Sequence, residues 1–176
     1  MIQFKPVIIE LGTSKIAGVG AFSAARISSG AKVADGIKAS DYRHIVSWDD
    51  FHSLDPEVAK KIMDFCIGTP KGFIPPDDRD FNRLSIEWFF NHSCDGNLGF
   101  SEKGDFVARR TIGKGTECTY DYGLAESNPE FRMGCNCGSE NCRKVVTGND
   151  WKNPSFRRKN LVYLLPALRP RVSESA

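Results

Sequence analysis

Three cysteines fall on one short segment, Cys135-Asn136-Cys137-Gly138-Ser139-Glu140-Asn141-Cys142. Closely spaced thiols are a donor set that Zn2+ takes, and a structural zinc site is closed by a fourth protein ligand. Three other cysteines compete for that place. Cys94 follows the polar turn Asn91-His92-Ser93, where a backbone bend can aim its thiol outward. Cys66 sits on a predicted helix among apolar neighbours, and Cys118 interrupts a predicted strand. Cysteine in such settings behaves as a small buried hydrophobe. Cys66 and Cys118 are therefore assigned to the core, and Cys94, Cys135, Cys137 and Cys142 to the metal. A disulfide is the weaker reading, because bridging a C-x-C pair closes a strained ring. Structural zinc contributes ~10 kcal/mol or more to folding in small modules, so this segment is expected to order with metal bound.

Between Cys94 and the thiol segment lies Gly115-Thr116-Glu117-Cys118-Thr119-Tyr120-Asp121-Tyr122-Gly123. Side chains alternate along a strand, which puts Cys118, Tyr120 and Tyr122 on one face and Thr119 and Asp121 on the other. Two tyrosines on one face of an arbitrary strand most often pack together. Here the strand ends at a glycine and the zinc-bearing segment follows soon after, which favours a working role. Asn91-His92 has a bland reading as a turn whose side chains cap backbone groups. Gly18-Val19-Gly20 taken alone marks only a tight turn.

The elements that hold these residues are short. Val7-Ile8-Ile9, Gly18 to Phe22 and Arg26-Ile27 read as β-runs joined by glycine turns. Asp55-Pro56-Glu57 supplies an N-cap, a first-turn proline and an early acid. Val58, Ile62 and Phe65 follow at helical spacing, predicting a helix that ends near Gly68-Thr69-Pro70. Residues 68–80, rich in Gly, Pro and Asp, read as a loop. Phe100 to Ile112 reads as a hairpin turning at Lys103-Gly104, and Thr116 to Tyr122 as a further strand. After Cys142 the pattern loosens, with Pro154, Pro166 and Pro170 breaking it. The architecture is mainly β.

At 176 residues with 40% apolar side chains, the chain suits one domain with a sizeable core. No apolar run approaches the ~20 residues that span a bilayer, so no membrane partner is expected. Met1-Ile2-Gln3-Phe4-Lys5-Pro6 lacks the features of a secretory signal, and an intracellular, reducing compartment is the default expectation. Nuclear and cytoplasmic residence are not distinguishable. The net charge of +2 is uneven. Residues 151–176 carry Lys152, Arg157, Arg158, Lys159, Arg169 and Arg171 against Glu174, which leaves residues 1–150 mildly acidic. An acidic body suits a basic peptide, and a basic tail could touch nucleic acid or acidic protein. The alternative is a solvated tail kept soluble by charge.

Taken together, these stretches resemble the SET-domain protein lysine methyltransferases with a post-SET zinc module. Asn91-His92-Ser93-Cys94-Asp95-Gly96-Asn97 is similar to the family's N-H-S-C-x-P-N motif, and Gly115 to Gly123 to G-E-E-L-T-Y-D-Y-G. Gly18 to Ala24 resembles its opening glycine segment, and Cys135 to Arg143 its C-x-C-G-S-x-x-C-R pattern. The resemblance covers residues 12–145. It implies small curled β-sheets with a pseudoknot crossing, in which the Asn91–Cys94 turn and the Tyr122 strand meet. The implied layout is a SET domain over 1–124 with a helical insert at about 45–85, a post-SET zinc module over 125–146 and a basic extension over 147–176.

The resemblance also implies S-adenosylmethionine as methyl donor, a lysine of a histone or other protein as acceptor, and structural Zn2+. It implies that Gly18, Val19 and Gly20 present backbone to the cofactor, that Asn91 and His92 hold its adenosyl part, and that Asn136 and Trp151 finish the adenine pocket. Tyr122 corresponds to the catalytic tyrosine, which also touches the cofactor, and Tyr120 to the position that sets how many methyl groups are added. Mainly mono- or dimethylation is the expectation. Cys94, Cys135, Cys137 and Cys142 correspond to the zinc ligands, in agreement with the reading from spacing. This chain departs from the family at Gly96 (usually proline), Cys118 (usually leucine) and Trp88 (often arginine). It also has no Y-x-G-E element. The rival readings are a non-catalytic, zinc-stabilised interaction module on the same scaffold, and a methyltransferase for a non-lysine substrate.

Overall fold

The computed structural model describes residues 7–38, 40–76 and 79–169. The stretch Met1 to Pro6, read above for targeting signals, and the tail residues Pro170, Arg171 and Glu174 lie outside the described residues. In chain order the strands are β1 (Ile9–Thr13), β2 (Val19–Ser23), β3 (Lys32–Ala34), β4 (Val46–Ser47), β5 (Ile67–Thr69) and β6 (Gly72–Ile74), followed by β7 (Leu98–Phe100), β8 (Phe106–Ala108), β9 (Glu117–Cys118), β10 (Arg132–Gly134) and β11 (Val145–Thr147). Among the described residues three short α-helices accompany them, α1 (Trp48–His52), α2 (Pro56–Phe65) and α3 (Pro154–Asn160). The strands build four small antiparallel sheets, ordered β1-β2-β9, β3-β8-β7, β4-β6-β5 and β10-β11.

Apolar packing follows three centres. The main core gathers Ala21, Leu98, Phe100, Phe106, Ala108, Ile112 and Leu124 from the first and second sheets and the segments between them. Val46, Ile62, Cys66 and Phe73 form a second core under the helical insert. Cys94, Cys135 and Val146 form a third, beside Phe131 and Met133. Cys66 and Cys118 are both buried, as the sequence reading has them, and burial pushes both thiols up to about 12.

Helix α2 starts as its residues dictate: the Asp55 carboxylate accepts the Glu57 N–H and Pro56 fills the first turn. It stops at Phe65, earlier than expected, because Cys66 is already extended. Residues 67–74 then differ from the expected loop. They form the β5–β6 hairpin, with Ile67 opposite Ile74 and Thr69 opposite Gly72. Gly72 adopts φ +136°, and a Cβ there would lie 2.0 Å from the Val46 carbonyl oxygen. The glycine that reads as a loop signal is thus what lets β4 reach β6. The hairpin around Lys103-Gly104 forms as expected between β7 and β8.

The expected strand from Thr116 to Tyr122 is shortened to Glu117–Cys118, paired to β2. Beyond it the chain is threaded rather than laddered. Tyr120 bridges in parallel to both His92 and Leu98, so residues 93–97 wrap around it. The Tyr120 N–H donates to Asn91 O, and its carbonyl accepts from Ser93 N–H. Asn97 fastens the loop, donating to Glu117 O and accepting from Thr119 N–H. Gly96 lies against this strand so closely that a Cβ would sit 2.7 Å from Tyr120 Cα. A residue without a side chain is what the crossing admits there.

The expectation of a solvated basic tail is also corrected over residues 151–169. Trp151, Leu164, Leu165 and Leu168 are buried in the main core. The Arg169 guanidinium donates to the carbonyls of Leu164, Phe100, Ser101 and Val162. The cations of this segment are partly a surface and partly a fastening.

Candidate active site

The crossing sets the positions of both tyrosines. Their ring centroids lie 4.8 Å apart, and Tyr120 packs edge-on to Phe106 at 5.2 Å. The Tyr122 hydroxyl donates to Phe90 O at 3.2 Å. The His92 ring accepts the Tyr122 N–H at Nδ1 (3.1 Å), packs against the Tyr122 ring and places Nε2 3.4 Å from Cys94 Sγ. Burial, and to a lesser degree the charge of Arg143, lower its pKa to about 4. His92 is therefore a neutral fastener of the crossing by its side chain, facing inward.

Both tyrosines open onto a cavity of about 660 Å3 between the helical insert and the segment that follows the crossing. Its apolar wall includes Trp88, Phe90, Phe106, Phe131 and Met133. Among the described residues six carboxylates line it (Asp35, Asp41, Asp64, Asp80, Glu87, Glu126) against three cations, Lys38, Arg83 and Arg132. Burial pushes the Tyr122 phenol up to about 12 and that of Tyr120 well above its usual range. At neutral pH both are phenols that donate and accept hydrogen bonds and do not act as bases.

On the opposite side, the turn Gly18-Val19-Gly20 is bound to the Asn91 region. The Asn91 Nδ2 group donates to Ala17 O, Val19 O and Glu117 Oε1 at 3.0, 3.2 and 2.9 Å. Glu117 Oε1 also accepts from the Ser14 hydroxyl. Glu117 lies inside a quoted motif, yet the sequence reading gave it no role. A Cβ at Gly20 would lie 2.4 Å from Glu117 Oε1, so only glycine leaves room for this clasp. Gly18 adopts φ +46° and a Cβ there would enter open space. Gly18 and Val19 are exposed and Gly20 is buried, and a firmly tied turn with exposed backbone fits a ligand that takes backbone contacts, as the S-adenosyl group would. Asn136 is exposed between two thiols, while Trp151 is 6% exposed and its indole N–H donates to Gly148 O.

The four thiols assigned to the metal come together: the Sγ atoms of Cys94, Cys135, Cys137 and Cys142 all lie within 4.8 Å of one another. Zn–S bonds of ~2.3 Å in a tetrahedron give S–S edges of about 3.8 Å. Cys94 Sγ and Cys135 Sγ are 3.8 Å apart. Cysteine donors at this spacing fit Zn2+. Burial opposes ionisation of Cys137, yet hydrogen bonds with Ser139, Cys94 and Cys135 together outweigh it and lower its pKa. Burial raises the Cys94 thiol, and the Arg143 N–H, which donates to Cys94 Sγ, partly offsets this.

Arg143 carries the second link between this segment and the crossing. Its guanidinium donates in a fork to both Asp121 oxygens at 2.6 Å and through Nε to Asp150 at 2.9 Å. The Asp121 carboxylate is 3% exposed and also accepts the Gly123 N–H. Asp121 and Asp150 together raise the pKa of Arg143 despite its burial. The "C-R" ending of the thiol pattern was the available signal for this residue.

A family model described as "SET domain" matches residues 18–123. Histone-lysine N-methyltransferase ASHR3 of Arabidopsis thaliana is 40% identical over 75 residues, 38% of this chain and 14% of its own length. Probable histone-lysine N-methyltransferase set-23 of Caenorhabditis elegans is 34% identical over 101 residues, 52% of this chain and 40% of its own. The chain thus spans less than half the length of these curated relatives. A crystal structure of KRYPTONITE in complex with mCHH DNA, H3(1-15) peptide and SAH superposes with a TM-score of 0.52 at 22% identity, over 78% of this chain and 29% of that one. This likeness bears on the fold alone.

Proposed function

The chain belongs to the SET-domain family, and on that footing we propose that it moves the methyl group of S-adenosylmethionine to the ε-amine of a lysine in a protein substrate. The observation that carries the reading is the pair of tyrosine rings 4.8 Å apart on the wall of an acid-lined cavity. Histone-lysine activity in the names of the relatives supports it. The excess of carboxylates around the cavity favours a basic segment as substrate.

When bound, S-adenosylmethionine supplies a methyl group on a sulfonium, open to in-line attack. The protein's part is to hold the amine collinear with that carbon, which can supply about 7–11 kcal/mol of the barrier. Lysine is an ammonium in water, with a pKa of about 10.4. The aromatic wall of Phe90, Phe106, Tyr120 and Tyr122 desolvates it and favours the neutral amine. The Tyr122 hydroxyl, already donating to Phe90 O, keeps its lone pairs to accept from the incoming amine. The Tyr120 hydroxyl occupies space that a more highly methylated amine would need, which limits the product to the mono- or dimethyl state.

Gly18, Val19 and Gly20 offer backbone to the donor, and Asn91 and His92 act from the adenosyl side with their own side chains committed to the clasp and the crossing. Asn136 and Trp151 close the adenine pocket, Trp151 by packing because its N–H is taken. Zn2+ held by Cys94, Cys135, Cys137 and Cys142 serves as a tether that keeps the segment after Tyr122 folded over this site. Calorimetric titration of the zinc-loaded protein with S-adenosylmethionine tests the reading against a non-catalytic module. The proposal expects micromolar-range binding heat, and a flat titration would reject it. Amino-acid analysis of a labelled substrate distinguishes lysine from any other acceptor.

A further inference from the structure

One of the cavity's acids is buried. Glu126 is 5% exposed and lines the same cavity as Tyr120 and Tyr122. Its backbone N–H donates to Tyr122 O at 2.8 Å, which fixes it one turn beyond that tyrosine. Its carboxylate is held by two amides, Oε2 accepting from Gly68 N–H and Oε1 from Asn128 N–H, each at 2.8 Å. A Cβ at Gly68 would lie 2.6 Å from Oε1, so β5 carries glycine where the carboxylate presses on it. Among the described residues no lysine, arginine or histidine pairs with Glu126. A buried carboxylate without a cation is costly, and proteins pair such charges.

The other ionisable side chains on this cavity fall on each element around it. Tyr120 and Tyr122 come from the threaded strand, Asp64 and Cys66 from the end of α2, Asp35, Lys38 and Asp41 from the segment after β3, Asp80, Arg83 and Glu87 from the segment before the crossing, and Arg132 from β10. Glu126 is the most deeply buried carboxylate among the described acids of the cavity. Its missing counter-charge is one that the cavity's occupant can bring.

We propose that Glu126 is the specificity-determining carboxylate of the acceptor channel, the group that selects a cationic side chain by serving as counter-ion to the substrate's ammonium. This rests on the reading of the cavity as a lysine site and names how that site recognises charge. Burial pushes the Glu126 carboxyl up to about 7, and an arriving ammonium draws it back to the charged form. Pairing with the carboxylate favours the ammonium. The amine must therefore leave that pairing and shed its proton to water within the aromatic wall before methyl transfer. The carboxylate contributes recognition and not a proton-transfer step. A merely structural role, stapling β5 to residues 126–128, would affect charged and neutral occupants alike.

The test compares binding of a lysine peptide and its norleucine counterpart to the zinc- and S-adenosylhomocysteine-loaded protein. The wild type should prefer lysine by about tenfold or more, the scale of a hydrogen bond to a charged group. Glu126→Gln should lose that preference while norleucine binding changes less than threefold. Equal weakening of both peptides, or an unchanged lysine preference, would overturn the proposal. Glu126→Asp covers the case in which the amide variant fails to fold: it keeps the charge and should keep the preference while methylation slows. Loss of the lysine preference in Glu126→Asp, or equal weakening of both peptides, would defeat the proposal. Wild-type methylation of the lysine peptide, measured alongside, separates failure of this inference from failure of the parent reading.

Discussion

Replacing Arg143 by methionine keeps a stem of similar length over Phe156, whose ring lies 5.2 Å from the guanidinium carbon, and removes the charge. Asp121 then loses its two 2.6 Å bonds and retains only the Gly123 N–H. Breaking a buried ion pair from one side costs about 3–5 kcal/mol, because the partner charge stays buried and unpaired. Asp121 is 3% exposed but Arg143 is 26% exposed, so water reaches the pair from one side and the low end applies, about 3 kcal/mol. For a domain of this size, each kcal/mol shifts Tm by roughly 2–4 °C, which gives a fall of about 6–12 °C. Urea unfolding of the zinc-loaded protein, followed by tryptophan fluorescence, measures the loss directly. Adding Asp121→Asn should return a large part of it, with a coupling of about 2 kcal/mol in the double-mutant cycle. A loss below about 1 kcal/mol, or additive effects, would refute the claim that this pair fastens the thiol segment to the crossing.

Tyr120→Phe should shift peptide products toward higher methylation states by mass spectrometry, and an unchanged distribution would remove Tyr120 from product control. Tyr122→Phe should cut turnover by about 10²-fold or more, the scale of losing a positioned catalytic group, with binding of S-adenosylmethionine nearly unchanged. Cys135→Ser should lower bound zinc in elemental analysis and unfold the segment around it, whereas Cys66→Ser should leave the zinc content at one per chain. Gly96→Ala should destabilise the protein by several kcal/mol in thermal scans, since its methyl would meet Tyr120 backbone at 2.7 Å. The Glu126 carboxyl, raised to about 7 from an ordinary 4.5, stabilises the fold below about pH 4.5 and loses that contribution as pH rises through 7. The stability of wild type relative to Glu126→Gln should therefore fall, by up to about 3 kcal/mol, between pH 4.5 and 8. A pH-independent difference would contradict it.

The chemistry-bearing residues were legible because their types are constrained by reactivity. Thiol spacing pointed to Cys135, Cys137 and Cys142, and the polar turn before Cys94 pointed to the fourth donor. The Asp55 cap and the Lys103-Gly104 turn were legible because each is a local rule between near neighbours. What stayed hidden was set at long range. Gly72 read as a loop because nothing nearby in sequence announces that β4 must pass within 2.0 Å of its Cβ position. Thr116 to Tyr122 read as a full strand because alternation cannot distinguish a ladder from a segment threaded through a loop. Leu164, Leu165 and Leu168 were lost among prolines, since irregular turns bury apolar side chains without a repeating period. Glu117, Arg143 and Glu126 act through partners 103, 22 and 58 residues away, and charge alone does not reveal such partners.

The account turns on methyl transfer at the paired tyrosines. Its most direct test is incubation of the zinc-loaded protein with S-adenosylmethionine carrying a labelled methyl group and a mixture of histones and basic peptides, followed by mapping of the label. The account predicts label on a lysine ε-nitrogen with the wild type and at least about 10²-fold less with Tyr122→Phe. Folded, zinc-loaded protein that binds the donor and labels no lysine, or labels equally well without the Tyr122 hydroxyl, would contradict it.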